Sequence, residues 1–189
     1  GEAQLIALNL ADGKELWAAR VGSGDPNCTP TVDEGLVYAL GREGDLVCCE
    51  AETGEEVWRK SYRNDFGGKM MSGWGYSESP LVDGENLICT PGAQDAILAA
   101  LNKKTGAVIW KTAMPPNAGN RGSDGAAYSS VVISNAGGVK QYVQLTGRGV
   151  ISADARTGKL VWGYNKIANG TANIPTPIVS GNDGLCLTG

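Results

Sequence analysis

The sequence predicts an all-β protein, a β-propeller made of four-stranded antiparallel blades. Four of its five tryptophans recur at steps of 41, 52 and 52 residues, and each follows a glycine by four positions. A short motif repeated at this spacing indicates stacked copies of one supersecondary unit. The 28 glycines of the chain favour many tight turns over long helices, and no segment has a helical period.

Each of these tryptophans ends a predicted β-hairpin. The four copies read LIALNLADGKELW, LVCCEAETGEEVW, LAALNKKTGAVIW and VISADARTGKLVW, starting at residues 5, 46, 98 and 150. An apolar run, a polar turn with glycine and a second apolar run are typical of a hairpin. The glycine–tryptophan pairs are Gly13 and Trp17, Gly54 and Trp58, Gly106 and Trp110, and Gly158 and Trp162.

Two further positions of the motif carry structural expectations. The fifth residue is expected to accept hydrogen bonds from turn N–H groups; it is Asn9, Glu50, Asn102 or Asp154. The residue before the tryptophan is apolar, which predicts that both faces of this strand are covered by neighbouring sheets. That residue is Leu16, Val57, Ile109 or Val161.

A second hairpin precedes each of the last three motifs. Its first strand is predicted at TPTV (29–32), SPLV (79–82) and SSVV (129–132), and a fourth copy, TPIV (176–179), opens the last hairpin. Four strands of about five residues per unit give three complete blades and two half blades. The predicted boundaries are 1–22 (outer half), 28–62, 77–114, 128–166 and 174–189 (inner half).

The half blades leave the size of the ring open. We interpret the chain as a fragment of a larger propeller whose remaining blades lie outside it. Pairing of the two halves into a closed four-bladed ring is an alternative, which we disfavour because the last strand has no capping feature. A parallel solenoid is a second alternative, but consecutive hairpins with short turns disfavour it.

Composition excludes several classes of function. The net charge is −4 and no basic run follows a phosphate backbone, so a nucleic-acid partner is not expected. Apolar stretches are too short for a transmembrane segment. Histidine is absent, which excludes Ser-His-Asp catalysis and His-ligated zinc within this chain. The five cysteines have no C-x-x-C spacing and predict no disulfide framework.

The motif A-x-D-x-x-T-G-x-x-x-W resembles the tryptophan-docking motif of quinoprotein alcohol dehydrogenases and other PQQ-like β-propeller repeat proteins. The likeness covers nearly the whole chain. It implies that the four glycine–tryptophan pairs are structural, each tryptophan packing on the motif of the adjacent blade. It also implies a periplasmic or otherwise extracytoplasmic location.

The resemblance leaves two kinds of function open. We interpret the chain as a non-catalytic scaffold, as in members of the BamB type, that binds a protein or polysaccharide partner and takes no cofactor. The alternative is part of a dehydrogenase that binds pyrroloquinoline quinone (PQQ) and calcium. An enzyme is disfavoured, and no catalytic residue is assigned.

Three long loops between blades are predicted to share one end of the propeller, together with the turns between second and third strands. They span residues 63–76, 115–127 and 167–175. Ligand-binding residues are expected among loops gathered on a rigid scaffold. The candidates are Trp74, Tyr76, Glu78, Arg121, Asp124, Tyr128, Arg148 and Asn173, with Asp65, Phe66 and Lys69 beside them. A purely structural role in capping the blades is the favoured alternative.

Three features of this end have specific interpretations. Trp74 either stacks on a flat ligand or closes the channel mouth, and the second is favoured. Glu78, Asp124 and Asn173 offer oxygen ligands of the type that calcium prefers, although no metal site is assigned. Cys48 and Cys49 are adjacent on one strand and point to opposite faces, so they are predicted to be buried free thiols and not a vicinal disulfide.

Overall fold

The computed structural model describes residues 1–181 and 184–186. Within them, sixteen strands form five antiparallel sheets, of which three have four strands and two have two strands. The predicted fold class, an all-β propeller of four-stranded blades, is confirmed. The sheets of the described residues do not close into a ring.

The strands follow one another in space in the order of the sequence. The first sheet pairs β1 (Glu2–Leu8) with β2 (Glu15–Ser23). The second sheet contains β3 (Thr31–Asp33), β4 (Leu36–Leu40), β5 (Asp45–Glu50) and β6 (Glu56–Ser61). The third contains β7 (Leu81–Asp83), β8 (Asn86–Cys89), β9 (Leu98–Asn102) and β10 (Val108–Thr112). The fourth contains β11 (Val132–Ser134), β12 (Gln141–Thr146), β13 (Gly149–Asp154) and β14 (Leu160–Tyr164). The last sheet pairs β15 (Ile178–Ser180) with β16 (Gly184–Cys186). Residues 182–183 and 187–189 of the predicted inner half blade lie outside the described residues.

One short helix interrupts the all-β pattern and was not predicted. Helix α1 (Tyr62–Phe66) follows β6 directly, and a 3-10 turn occupies Ala136–Gly138. The hydroxyl of Ser61 caps α1 by accepting the N–H of Asn64, and Gly67 ends it with φ 68°. A Ser cap and a left-handed Gly are ordinary helix boundaries. A segment of this length has too few residues for a hydrophobic period to show in the sequence.

The core lies between consecutive sheets. Every residue of β4 and β12 is buried, and in β9 and β13 only the last residue is partly exposed. Side chains of β4, β5 and β6 pack against those of β8 and β9, and the next pair of sheets repeats the arrangement. The two middle strands of a blade are therefore buried on both faces, as strands between two packed layers must be.

The rings of Trp17, Trp58 and Trp110 each lie on the motif glycine of the following sheet. A Cβ atom built on Gly54 would lie 2.6 Å from Trp17 Cε3, one on Gly106 would lie 2.8 Å from Trp58 Cδ2, and one on Gly158 would lie 2.5 Å from Trp110 Cε3. These glycines have φ between 68° and 76°, so the positions exclude other residues both by space and by conformation. The Trp58 indole N–H also donates to the carbonyl of Lys103 in the next sheet at 2.9 Å.

The prediction for the residue before each tryptophan was wrong. Its exposed fraction is 61% in Leu16, 42% in Val57, 50% in Ile109 and 46% in Val161. The register shifts at this residue in all four hairpins, so that it has no partner on the third strand. A β-bulge of this kind breaks the alternation of faces on which the prediction depended. The bulge turns the aliphatic residue outward while the tryptophan stays against the next sheet.

Hydrogen bonds inside the turns confirm the expectation for the fifth position in three copies. The Oδ1 atoms of Asn102 and Asp154 each accept two backbone N–H groups and a threonine hydroxyl, and Asn9 accepts the N–H of Ala11. These bonds from Thr157 lower the pKa of Asp154. In all four copies, that of Glu50 included, the carbonyl of the fifth residue accepts the N–H of the motif glycine.

A chain of hydroxyl groups joins the starts of the inner strands. The N–H of Thr29 donates to Ser79 Oγ at 3.2 Å, the N–H of Ser79 to Ser130 Oγ at 2.9 Å, and the N–H of Ser130 to Thr176 Oγ1 at 3.1 Å. Ser130 thus occupies the position that the sequence alignment gave to Ser129. β3, β7 and β15 begin two residues after the predicted starts at 29, 79 and 176, whereas β11 begins at Val132, three residues after the predicted start at 129. The prediction SSVV (129–132) was therefore one residue too early relative to the other copies.

Lys103 ties two sheets together from within the core. Its ammonium lies 2.6 Å from Asp33 Oδ2 and 2.9 Å from Glu34 Oε2, both in the preceding sheet, while its side chain is only 3% exposed. These hydrogen bonds raise the pKa of Lys103. Its carbonyl also accepts the hydroxyl of Tyr38 at 3.2 Å. A buried ammonium needs partners of this kind to offset its desolvation.

No helix among the described residues is both long and apolar enough to cross a membrane.

We expect Gly106→Ala to destabilise the protein much more than Gly84→Ala. Both glycines belong to the β7–β10 sheet and have positive φ, but a Cβ on Gly84 meets nothing within 4 Å. Gly84→Ala should cost about 1 kcal/mol for the left-handed conformation, and Gly106→Ala about 2–4 kcal/mol because overpacking against Trp58 is added. Urea denaturation of both variants measures the difference. Equal losses would show that the Trp58 contact contributes little.

Candidate functional site

The loops at one end of the sheets are held together by backbone hydrogen bonds. Met71 N–H donates to the carbonyl of Ala126 at 2.9 Å, and Ala126 N–H donates to that of Lys69 at 2.8 Å. Tyr128 N–H reaches the carbonyl of Asn173 at 3.0 Å and so connects the second loop with the third. Three segments far apart in sequence therefore form one continuous surface.

A cleft of about 540 Å³ opens on this surface, and we call it the aromatic cleft. Trp74 and Tyr128 meet edge to face in it, with ring centroids 5.8 Å apart and planes at 66°. Trp74 is 54% exposed and Ile174 is 63% exposed. The lining residues are Asn27, Arg42, Trp74, Ser77, Tyr128, Thr171, Ala172 and Ile174.

Polar contacts behind the walls fix the shape of the aromatic cleft. Asn27 Nδ2 donates to the carbonyl of Trp74 at 2.9 Å, and Arg42 Nη2 donates to that of Gly73 at 3.2 Å. Ser72 Oγ lies 2.5 Å from the Tyr128 hydroxyl and donates to the carbonyl of Thr171 at 2.9 Å. The cleft is therefore preorganised before any partner arrives.

Of the eight predicted site residues, only Trp74 and Tyr128 line this cleft. Tyr76 is buried, and its hydroxyl donates to the carbonyl of Pro91 at 2.9 Å. Asn173 is buried as well, with Nδ2 donating to the carbonyls of Thr146 and Gly147. Arg121 Nη1 donates to the carbonyl of Lys166 at 2.5 Å. These three side chains thus hold loops in place.

Asp124 and Arg148 form an ion pair outside the aromatic cleft. Arg148 Nε lies 2.8 Å from Asp124 Oδ1, and Lys69 Nζ lies 3.8 Å from Asp124 Oδ2. The Arg148 guanidinium lowers the pKa of Asp124. Of the neighbouring candidates, Asp65 accepts the N–H of Ser61 at 2.7 Å and Phe66 is buried in the core.

Glu78 is a buried carboxyl with one unpartnered oxygen. Its Oε1 accepts the hydroxyl of Tyr62 at 2.8 Å and the N–H of Thr90 at 2.6 Å, while Oε2 has no hydrogen-bond partner. Burial raises the pKa of Glu78 to about 7, against the opposing effect of the bonds from Thr90 and Tyr62. At neutral pH this group is therefore divided between its neutral and charged forms.

Glu78, Asp124 and Asn173 do not fit a single calcium site. Their hydrogen-bond partners are three separate sets, and the Asp124 carboxylate faces two cations. The amide oxygen of Asn173 already accepts two hydrogen bonds from Asn169. Within the described residues, no three His, Cys, Asp or Glu side chains converge as metal ligands. The oxygen ligand types were present in the sequence, but the fold separates them.

Cys48 and Cys49 are buried free thiols, which confirms the prediction made for them. Cys48 packs into the core on one face of its sheet and Cys49 into the core on the other. Burial raises the pKa of Cys48 to about 12 and also raises that of Cys49. Thiols in this state are poor nucleophiles at neutral pH.

The sequence analysis missed Arg42, Asn27 and Ile174 as residues of the aromatic cleft. Arg42 lies in the turn between β4 and β5, which the predicted topology had placed at the same end as the long loops. That topological signal could have identified Arg42. Asn27 and Ile174 belong to connections between sheets, where the sequence has no repeated pattern that predicts side-chain direction.

Comparison with known families identifies the architecture. The family model described as "Outer membrane protein assembly factor BamB" matches residues 1–188. The chain belongs to this BamB family. The relatives described below are members of the same family.

Curated relatives resemble parts of the chain. BamB of Burkholderia pseudomallei (strain K96243) is 34% identical over 104 residues, which are 53% of this chain and 25% of that protein. BamB of Nitrosomonas eutropha is 25% identical over 168 residues, which are 88% of this chain and 35% of the relative. The chain thus spans about a quarter to a third of the length of these relatives.

Solved structures share the fold at low sequence identity. The quinohemoprotein alcohol dehydrogenase of Comamonas testosteroni superimposes with a TM-score of 0.63 at 16% identity, over 96% of this chain and 36% of that enzyme. The computationally designed protein Ika8 superimposes with a TM-score of 0.60 at 13% identity, over 93% of this chain and 46% of the design. An enzyme and a designed protein share this architecture, so the likeness describes the fold alone.

We expect Glu78 to make stability fall as pH rises. Its folded pKa of about 7 exceeds the ordinary value of 4.5, so the folded state binds the proton more tightly. The stabilisation that Glu78 contributes is therefore fully present below pH 4.5 and is lost progressively as pH rises through 7. The loss attributable to Glu78 should be on the order of 3 kcal/mol. Its ionisable neighbours Tyr62, Cys28 and Cys89 stay neutral in this range because burial raises the pKa of each.

Urea denaturation between pH 5 and pH 8 measures this effect in the wild type and in Glu78→Gln. The variant keeps an oxygen to accept the Thr90 N–H and should lose most of the pH dependence. Glu52→Gln, at an exposed site in the turn after β5, is the matched control. Parallel pH profiles for wild type and Glu78→Gln would contradict the assignment.

Proposed function

We propose that this chain is part of a non-catalytic propeller that serves as a protein-binding scaffold in the assembly of outer membrane proteins. The observation that carries the proposal is the BamB family match over residues 1–188. The curated names of the relatives add support, since five of them are assembly factors of this type. We propose that the chain acts in the cell envelope, on the periplasmic side, and the names of the relatives support this location.

The chemistry of the loop surface supports a scaffold. Asp124, Arg148 and Asn173 use their polar atoms to hold loops together, and a general acid or base would need such atoms free to face a substrate. Loops fixed in this way give a rigid surface, which suits recognition of another protein with little ordering cost. A protein partner is preferred to a polysaccharide because the relatives act in protein assembly.

The dehydrogenase alternative has weaker support. Its structural relative shares 16% identity, a level at which only the fold carries over. The residues considered as calcium ligands do not fit one site, as described above.

Site-specific photocrosslinking in the native host tests the scaffold proposal. A photoreactive benzoylphenylalanine replaces Lys69 on the loop surface or, as the control, Lys104 in the turn at the opposite end. Both lysine side chains are 58% exposed. We expect position 69 to crosslink to components of the outer membrane assembly machinery and position 104 to give at least fivefold less product. Equal labelling, or none, would contradict a loop-surface scaffold.

A cofactor titration tests the alternative directly. The intact protein is incubated with PQQ and calcium and separated from free quinone, and its absorption spectrum and dye-linked alcohol oxidation are recorded. The scaffold proposal predicts no stoichiometric quinone and no activity. Retention of one quinone per chain together with turnover would overturn it.

A further inference from the structure

We propose that the aromatic cleft binds an extended segment of a partner protein that carries an Asp or Glu two residues from a bulky apolar residue. This inference rests on the proposed function and deepens it by naming the chemistry of the contact. Trp74 and Tyr128 were predicted as ligand-binding residues and line the aromatic cleft. Arg42, which supplies the charge, and Ile174, which supplies a second apolar wall, were not predicted.

The walls of the aromatic cleft are apolar and exposed. Trp74 and Ile174 leave more than half of their surface in contact with solvent, although both are large apolar residues. Trp74 and Tyr128 are tilted at 66° to each other, and the exposed half of the Trp74 ring can pack against a side chain of a partner. Tryptophan and tyrosine are the residues most enriched where protein interfaces concentrate their binding energy. The walls therefore fit a bulky aliphatic or aromatic side chain.

Arg42 supplies the charge. Among residues 1–181 and 184–186, four arginines pair with a carboxylate, and Arg42, Arg121 and Arg156 do not. Of these three, only Arg42 lines the aromatic cleft. One nitrogen of Arg42 is used by the carbonyl of Gly73, and its other N–H groups remain for a ligand. A guanidinium beside apolar walls selects a carboxylate by charge and by paired hydrogen bonds.

The shape of the cleft favours a polypeptide over a small molecule. Sites for small ligands bury most of the ligand surface in a concave pocket, but here the two largest apolar walls are more than half exposed. The volume of about 540 Å³ suits two or three side chains of a chain that passes across the surface. In an extended segment, side chains two residues apart lie on the same face about 6.6 Å from each other.

The carboxylate is expected from an acidic side chain and not from a chain terminus. Capture of a terminal carboxylate relies on free backbone N–H groups arranged as a nest. The N–H groups of Thr171 and Ala172 at the cleft already donate to Asn169 Oδ1, each at 2.9 Å. The side chain of Arg42 is then the donor on which recognition depends.

The test uses the intact protein and three synthetic heptapeptides with acetylated and amidated ends. The first is Gly-Ser-Phe-Ser-Glu-Ser-Gly; the second has glutamine for glutamate, and the third has alanine for phenylalanine. Calorimetric titration measures affinity, and amide and indole N–H shifts in two-dimensional NMR locate the contact. We expect the first peptide to bind at least tenfold more tightly than either control, with weaker binding at high salt.

Protein variants separate charge from packing. Arg42→Gln should weaken the glutamate peptide about tenfold or more and change the glutamine peptide less than twofold, whereas Arg42→Lys should retain part of the preference. Trp74→Ala should weaken the phenylalanine peptides and spare the alanine one. Arg156→Gln, in the turn between β13 and β14, is the matched control and should leave all affinities unchanged. Circular dichroism verifies that each variant is folded.

Several outcomes would overturn the inference. They are the absence of binding by all peptides, equal binding of the glutamate and glutamine peptides, and shifts confined to residues outside the cleft. Tighter binding of a free aromatic acid such as indole-3-acetate would overturn it in favour of a small-molecule site. If position 69 still crosslinks to the assembly machinery while no peptide binds, the inference fails and the proposed function stands. If the peptide binds but no crosslink forms, the proposed function fails alone.

Discussion

In three junctions between consecutive sheets, the indole ring of a tryptophan packs on the bare backbone of a glycine in the next sheet, and this contact sets the geometry of the junction. Three sequence conditions must hold together for this contact. The turn needs a glycine with positive φ, the following sheet must leave no Cβ under the ring, and the bulge before the tryptophan must aim it correctly. Gly106 and Trp58 illustrate the fit, since a single added carbon would lie 2.8 Å from the ring. This constraint explains why glycine and tryptophan recur with fixed spacing while the residues between them vary.

A second set of contacts restrains the sheets on their inner side. Hydroxyl groups of Ser79, Ser130 and Thr176 each accept a backbone N–H from the preceding sheet. Between the two rows of contacts, Lys103 joins Asp33 and Glu34 across the first pair of complete blades. The tryptophan–glycine contacts and the hydroxyl contacts fix the position of one sheet against the next, so the loops between the sheets are not needed for this purpose. They are free to differ in length and composition, and surfaces of this kind commonly evolve binding functions.

Repeated features could be predicted from the sequence, and features present once could not. The glycine–tryptophan motif appears four times, so its strands and turns were recoverable by comparison within the chain. The bulge that exposes Val57 and the displacement that puts Ser130 in the hydroxyl row are shifts of one residue, which an apolar pattern cannot resolve. Glu78 and Arg42 depend on tertiary surroundings. Nothing in the local sequence distinguishes the carboxyl of Glu78, which is buried, from those that are exposed, or the guanidinium that lines the aromatic cleft from those that do not.

The way in which polar atoms are used separates structural from recognition residues on the loop surface. Some side chains donate their hydrogen bonds to carbonyls and carboxylates of the same chain, as Arg148, Arg121 and Asn173 do. Removing Asn173 would leave buried carbonyls unsatisfied, and removing either arginine would release a loop contact, so these positions are poorly suited to follow a changing partner. Asn27 holds the carbonyl of Trp74, and one nitrogen of Arg42 donates to the carbonyl of Gly73, so the exposed half of the Trp74 ring and the other Arg42 N–H groups can meet a partner. Substitution there costs the fold little and alters binding directly, which makes the aromatic cleft the part of the surface where specificity can reside.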